Sequence, residues 1–285
     1  MPMDVKALLN WTFEDAVHRY SERDTMLYAL GLNFGSDPTD ERELAFVYEA
    51  GLVAVPSMAV VLGHPGFWAR DPRFGIDWKQ VLHGEQWLQV FRQLPASGHV
   101  IGRTRIEQIS DKGAQKGAVI YSSRDIVDAD SGDVLARASM STFARGDGGF
   151  GGENLAGPPV ARIPDRAPDH VCDLDTLPQQ ALIYRLSGDY NPLHADPAIA
   201  RAAGFERPIL HGLATYGLAA RAILRTFCDY DPRRLSGLDV RFSAPVYPGE
   251  TVRFSMWRDE REVRFEASVP ARDVLVLKNG AARLA

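Results

Sequence analysis

The sequence contains few cysteines, little net charge and no long apolar run. Its two cysteines, Cys172 and Cys228, are too few for a disulfide framework or a cysteine-based zinc motif, and such scarcity is typical of a reducing compartment. The net charge of −5 at pH 7 argues against general binding to nucleic acid or anionic lipid.

No stretch approaches the roughly 20 apolar residues that a membrane span needs. The N-terminus has neither the basic start nor the apolar core of a signal peptide. We therefore expect a cytoplasmic protein that partners neither membrane nor nucleic acid.

The chain is long enough for two units, and 45% hydrophobic residues allow a large core. Glycine and proline are concentrated in residues 146–170, which predicts a connection without regular structure in which Phe150 anchors the chain against a surface. We expect an N-terminal unit at 1–145, the linker at 146–170 and a C-terminal unit at 171–285.

The second unit combines a helical pattern with strand patterns. Residues 211–228 are rich in Leu, Ala and Ile on all sides, which predicts a buried helix. The segments that follow alternate with period two, which predicts an antiparallel sheet. Residues 85–145 repeat the strand part of this outline, and DTMLYALGLNFG and ERELAFVYEAG upstream are interpreted as helices. The sequence thus predicts an α+β protein built from two related repeats.

Residues 184–194, YRLSGDYNPLH, place an acid and an imidazole in a stretch that is neither continuous helix nor strand. Gly188 permits unusual backbone angles, and Pro192 fixes its own angle and removes a donor. Such a loop can direct Asp189 and His194 at one point. A carboxylate and a neutral imidazole that share a water form an acid–base pair that works near neutral pH.

A structural interpretation of the same residues is also open. Asn, Asp, Gly and Pro are turn residues, so Asp189 can simply accept from backbone donors. Asn191 can bond the local backbone or orient a water. The context of the loop favours the functional interpretation, because a capped short helix and an LHG segment follow it before the buried helix.

The run from Tyr184 through Ser-Gly-Asp-x-Asn-Pro-Leu-His resembles the type 2, (R)-specific enoyl-CoA hydratases, also called MaoC-like dehydratases. The segments YALGLNFG, FVYEAG, VLHGEQWL, GDGGFGG and FSAPVYPGET resemble the hydratase unit of peroxisomal multifunctional β-oxidation enzymes. The resemblance implies a double hotdog fold, in which each of two repeats wraps an antiparallel sheet around a long helix. It also implies a hydro-lyase of fatty acid metabolism that adds water to trans-2-enoyl-CoA to give (3R)-3-hydroxyacyl-CoA.

By motif position, the resemblance implies that Asp189 and His194 are the catalytic pair and that Asn191 orients the water. It implies that the backbone N–H of Gly212 polarises the thioester carbonyl. Gly212 also begins the predicted buried helix, where free N–H groups and the helix dipole favour an anion.

Five further residues are candidates for substrate binding: Glu49, His83, Arg185, Arg207 and Tyr190. Glu49 matches a glutamate of the family, and His83 lies in a second LHG segment. Arg185 can pair with Asp189 or another carboxylate. Candidates for the CoA phosphates are Arg201, Arg207, Arg221 and Arg225, although helix-surface arginines are often merely solvated.

We expect one active site per chain, no cofactor beyond the CoA of the substrate, and a homodimer. We expect no metal site, since His194 and His211 are isolated in sequence from other ligand types. Two alternatives stay open: a dehydratase that acts on carrier-protein thioesters, and a non-catalytic acyl-CoA-binding subunit. The sequence leaves acyl-chain length, pathway and physiological direction open.

Overall fold

The computed structural model describes residues 3–285, which form one ten-stranded antiparallel sheet and its helices. The first half contains α1 (Val5–Leu9), β1 (Ala16–Tyr20), α2 (Glu22–Leu30), α3 (Glu41–Leu44), β2 (Val81–Val90), β3 (Gly98–Asp111), β4 (Ala118–Asp128) and β5 (Val134–Ala144). The second half contains β6 (His170–Asp175), α4 (Gln180–Tyr184), α5 (Pro197–Ala202), α6 (Gly212–Phe227), β7 (Leu235–Phe242), β8 (Thr251–Asp259), β9 (Glu262–Val269) and β10 (Val274–Leu284).

The strand order shows that the two halves are repeats of one topology. The order is β1-β3-β4-β5-β2 in the first half and, read from the opposite edge, β6-β8-β9-β10-β7 in the second. The halves join where β2 pairs with β7, with Gln86 opposite Val240 and Leu88 opposite Leu238. The predicted α+β architecture with two repeats is confirmed.

Helix α6 forms the centre of the second repeat. Its residues Tyr216, Leu218 and Leu224 are fully buried, as the apolar pattern on all sides predicts. A side chain at Gly217 would collide with Leu32 of the first half, so glycine lets the two halves approach closely here.

The first repeat differs from the expectation that each half has a long helix. The longest helix between β1 and β2 is the nine-residue α2, and ERELAFVYEAG forms a helix only over α3. A short 3₁₀ helix, Pro56–Val60, packs instead against β2, β5 and α6. Glycines and prolines that follow it, among them Gly63 and Pro65, prevent a continuous helix.

A buried ion pair ties the first half to α6. The guanidinium of Arg221 donates to both carboxylate oxygens of Glu43 at 2.8 and 3.0 Å, and Tyr230 donates to the same carboxylate at 2.9 Å. Both charged side chains are 3% exposed. The interpretation of Arg221 as a candidate for CoA phosphates is therefore wrong, because Glu43 already occupies its donors.

The chain between β5 and β6 has no regular secondary structure and is fixed to the sheet. The carboxylate of Asp111 accepts from the backbone N–H of Gly149 at 2.7 Å and of Gly151 at 3.0 Å. Phe150 packs against a small apolar cluster of the first half, as expected for an anchor. Among residues 3–285, none of the helices has both the length and the apolar character to cross a membrane.

Candidate active site

The loop between α4 and α5 is held by its own side chains. Gly188 has φ 121°, which glycine adopts more readily than other residues. The N–H of Asn191 donates to the Asp189 carboxylate at 3.1 Å, and the side-chain oxygen of Asn191 accepts from the Leu193 N–H at 3.1 Å. Asn191 therefore caps the 3₁₀ helix Pro192–His194 and fixes the carboxylate beside it.

His194 is buried, with 8% of its surface exposed. Its Nδ1 lies 2.9 Å from the carbonyl oxygen of Ile209. Because a carbonyl only accepts, Nδ1 carries the hydrogen and Nε2 keeps a lone pair. Burial is the main cause that lowers the pKa of His194, so the ring is neutral near pH 7 and Nε2 can accept a proton.

His211 stacks on His194, with ring centroids 3.7 Å apart. Its Nε2 donates to the backbone carbonyl of Asp189 at 3.1 Å, while its buried Nδ1 has no partner in residues 3–285. Burial, together with the neighbouring His194, lowers the pKa of His211 to about 4. Sequence reasoning assigned His211 no role, although the LHG segment pointed to it.

The fold brings Asp189, His194 and His211 together. A carboxylate oxygen of Asp189 and one ring nitrogen of each histidine lie within 4.8 Å of one another. Asp189 is exposed, so this cluster is open to a water or a substrate. The argument that both histidines are isolated from other ligand types is therefore wrong, because these three side chains are of the types that bind Zn²⁺.

Gly212 begins α6 and is exposed next to this cluster, since it follows His211 directly. The first N–H groups of a helix have no partner within the helix, and the dipole favours negative charge there. A side chain at Gly212 would lie 3.4 Å from the ring of Phe242, and that ring in turn contacts His83 with centroids 4.7 Å apart. His83 thus lies close to the beginning of α6.

His64 of the first repeat is also electrostatically linked to Asp189. Its surface is exposed, yet loss of solvation from the surrounding protein lowers its pKa to about 4, and the charge of Asp189 acts in the opposite sense. Burial likewise lowers the pKa of His83 to about 4, again opposed by Asp189. The charge of Asp189 therefore reaches both His64 and His83. No local pattern in the sequence marks His64.

The remaining candidates for substrate binding are not part of the cluster of Asp189, His194 and His211. The guanidinium of Arg185 lies 4.7 Å from the ring centre of exposed Tyr190 and forms no ion pair within residues 3–285. Arg207 is exposed and stacks on Tyr247 at 5.1 Å. Glu49 is exposed after α3, and within the described chain no hydrogen bond or ion pair joins its side chain to the Asp189 loop.

Two protein-family models match this chain. Residues 18–146 match the MFE-2 hydratase 2 N-terminal domain, and residues 159–279 match the MaoC-like domain. The chain is 40% identical to enoyl-CoA hydratase ChsH3 of Mycobacterium tuberculosis over 98% of both proteins. It is 38% identical to peroxisomal multifunctional enzyme type 2 of Mus musculus over 91% of this chain, which spans 36% of that longer protein.

Solved structures are similar over the whole chain. A MaoC-like dehydratase from Phytophthora capsici has a TM-score of 0.88 at 33% identity and covers 99% of this chain and 98% of its own. A protein of Mycobacterium tuberculosis described as a double hotdog fold has a TM-score of 0.51 at 14% identity over 95% of this chain and 96% of its own. The fold is therefore the double hotdog.

Proposed function

The chain belongs to the enoyl-CoA hydratase 2 family, with its MFE-2 hydratase 2 N-terminal domain and MaoC-like domain, and from this we propose that it hydrates trans-2-enoyl-CoA to (3R)-3-hydroxyacyl-CoA. It acts as a hydro-lyase in fatty acid β-oxidation or related thioester metabolism. The observation that carries the proposal is the approach of Asp189 and His194 within 4.8 Å beside the first amide of α6.

Asp189 and His194 hold the reacting water in this mechanism. The free Nε2 of His194 and the exposed carboxylate of Asp189 supply two acceptors for its protons. The water oxygen bonds to C3 of the substrate as the C2–C3 π electrons move toward the thioester. The proton that the water loses to the pair returns to C2, so one water is consumed and both side chains are restored.

Gly212 stabilises the charge that develops on the thioester oxygen. Its N–H is a fixed donor at the beginning of a sixteen-residue helix, and such a donor is worth about 3 kcal/mol in a site that excludes water. Asn191 acts by fixing the carboxylate of Asp189, since its two hydrogen bonds are local.

The first unit, residues 1–145, shapes the acyl site, and the linker at 146–170 connects it to the catalytic unit at 171–285. His83 supports this division, because it reaches Phe242 next to Gly212. Arg185 and Tyr190 lie in the catalytic loop, and exposed Arg207 is a cation for the CoA phosphates. Glu49 affects the shape of the acyl site from outside the catalytic cluster. The reaction requires no cofactor besides the CoA of the substrate.

A coupled assay tests the proposal. The chain is incubated with trans-2-butenoyl-CoA and with the same acyl group on a carrier protein, and the product is oxidised by (3R)- or (3S)-specific 3-hydroxyacyl-CoA dehydrogenases. We expect a signal with CoA and the (3R)-specific enzyme. Absence of hydration would favour a non-catalytic acyl-CoA-binding subunit, preference for the carrier thioester would favour the dehydratase alternative, and a (3S) product would contradict the mechanism.

Assembly and compartment are part of the same proposal. We infer a homodimer that resides in the cytoplasm, with two unpaired cysteines that are both buried. Light scattering coupled to size exclusion tests the dimer, and the mass of a single chain would contradict it. Imaging of the tagged full chain in its own cells tests the compartment.

A further inference from the structure

Arg124 is a buried cation inside the first repeat. On β4, Ile120, Arg124 and Ile126 share the buried face, and Arg124 is 6% exposed. Asp125 points to the other face, where it pairs with Arg105 and Arg137. Arg124 therefore points into the interior, on the side where the Pro56–Val60 helix packs.

Arg124 has no carboxylate partner within residues 3–285. Its Nη2 donates to the carbonyl oxygen of Val60 at 2.6 Å, and its Nε is buried without a partner. Burial lowers the pKa of Arg124 to about 10, and no acidic neighbour opposes that effect. The similarly buried Arg221 is paired with Glu43, so of these two buried arginines only Arg124 lacks a carboxylate partner in the described residues. An uncompensated buried charge costs stability, and such a cost is often retained for function.

A second polar group beside Arg124 is also unsatisfied. Thr104 on β3 lies directly opposite Arg124 in the sheet register, and its Oγ1 is buried without a hydrogen-bond partner. These two residues separate two apolar clusters, one containing Ile126 and the other containing Ile106 and Ile120. A guanidinium N–H and a hydroxyl thus lie side by side in the interior with unused hydrogen-bonding capacity.

His64 relates this polar pair to the Asp189 loop. His64 follows the Pro56–Val60 helix that Arg124 contacts. The charges of both Arg124 and Asp189 act on the imidazole of His64, so His64 is near both residues. A chain that leaves the thioester near Gly212 and enters the first repeat past His64 therefore approaches Arg124.

We propose that Arg124 and Thr104 bind a hydrogen-bond-accepting oxygen, best a carboxylate, carried by the acyl group at a position remote from the thioester. The proposal rests on the proposed hydration of acyl-CoA thioesters and specifies the acyl group. A carboxylate accepts several N–H bonds from a guanidinium and neutralises its charge, so it satisfies Arg124 better than an alkyl chain does.

The test compares trans-2-enoyl-CoA substrates of matched length that end in a methyl, a hydroxyl or a carboxyl group. At the length that suits the site, we expect kcat/KM to be at least about ten-fold higher with a terminal oxygen, as for a charge-assisted hydrogen bond. We expect Arg124→Met to remove this preference. Its kcat/KM for the methyl-ended substrate should stay within about three-fold of the parent value. Thr104→Val reduces the preference by a smaller factor.

Arg105→Met is the matched control, since Arg105 lies on the outer face of the same sheet. It leaves the preference unchanged. Hydration of trans-2-butenoyl-CoA reports the proposed function separately: if the parent lacks it, that function fails. If the parent hydrates trans-2-butenoyl-CoA but prefers no oxygen-bearing chain at any length, the inference about Arg124 is wrong. It is also wrong if Arg124→Met lowers kcat/KM equally for all substrates. If Arg124→Met does not fold, an unchanged preference in Thr104→Val overturns the inference.

Discussion

The rings of His194 and His211 stack with a centroid distance of 3.7 Å and an interplanar angle of 27°. Each ring is fixed by a backbone carbonyl, that of Ile209 for His194 and that of Asp189 for His211. The stack therefore links the imidazole of the proposed catalytic pair to the backbone of Asp189. A positive charge on one of these imidazoles would disfavour protonation of the other, which helps to keep the rings neutral.

Replacement of either member of the pair should abolish most of the activity. We expect Asp189→Asn and His194→Gln each to lower hydration of trans-2-enoyl-CoA by at least about 100-fold, the usual scale for the loss of an acid–base group. Steady-state rates measure the effect, while circular dichroism and the melting temperature should barely change. A folded variant with near-parental rates would remove that residue from the mechanism.

His211→Phe tests the stack. The phenyl ring can still pack on His194, but it cannot donate to the Asp189 carbonyl. We expect kcat to fall by about ten-fold, because small misplacements of a reacting group are costly. The KM for a short substrate should stay within about two-fold. An unchanged kcat would mean that the loop keeps its position without this bond.

The pH dependence should reflect the depressed pKa of His194. Burial lowers this pKa below its usual 6.5, so the imidazole loses its proton at lower pH than in a peptide. If neutral His194 accepts the proton of water, kcat/KM rises with pH through the lowered pKa and is level above it. Rates from pH 4 to 8 measure this. An acid limb centred above 6.5 would contradict the neutral-base role.

One active site per chain is expected although the fold has two repeats. His83→Ala should retain hydration of trans-2-butenoyl-CoA, with a raised KM at most, because His83 reaches the site only through Phe242. Titration calorimetry with a non-reactive acyl-CoA analogue should give a stoichiometry near one per chain. A stoichiometry near two, or complete inactivation of folded His83→Ala, would indicate a second site in the first repeat.

Breaking the buried pair of Glu43 and Arg221 should destabilise the protein more than breaking an exposed ion pair. Glu43→Gln leaves the charge of Arg221 without a counter-ion, and we expect the free energy of unfolding to fall by about 3–5 kcal/mol. Urea denaturation measures the change. The exposed pair of Asp173 and Arg253 provides the control, since Asp173→Asn should cost less than about 1 kcal/mol. Equal losses would contradict this ranking.

Features encoded by local sequence could be predicted. Helix α6 was predicted because its apolar residues continue on all sides, and α5 because Asp196 caps it and Pro197 begins it. Strands β2–β5 and β7–β10 follow from their alternation, whereas β1 and β6 were not predicted. The Asp189 loop was singled out by its own motif, whose residues are close in the chain.

Features that depend on distant partners could not be predicted. His211 contacts the backbone of Asp189, 22 positions away, and Arg221 pairs with Glu43, 178 positions away, which overturned its proposed role. The absence of a partner for Arg124 is likewise a property of the folded interior. The prolines and glycines of the first repeat were a local signal against a long helix. The expectation of a long helix followed instead from the assumption that both repeats have the same elements.

The pairing of β2 with β7 also determines how the molecule can be divided. A chain severed in the linker and separated into halves would expose Val81–Val90 on one piece and Leu235–Phe242 on the other as unpaired edges. Long bare edges recruit other chains and promote aggregation. Neither repeat can therefore be removed without exposing an edge of the other. The repeat that lacks the Asp189 loop is retained for this reason, and its interior can change to suit the proposed acyl site.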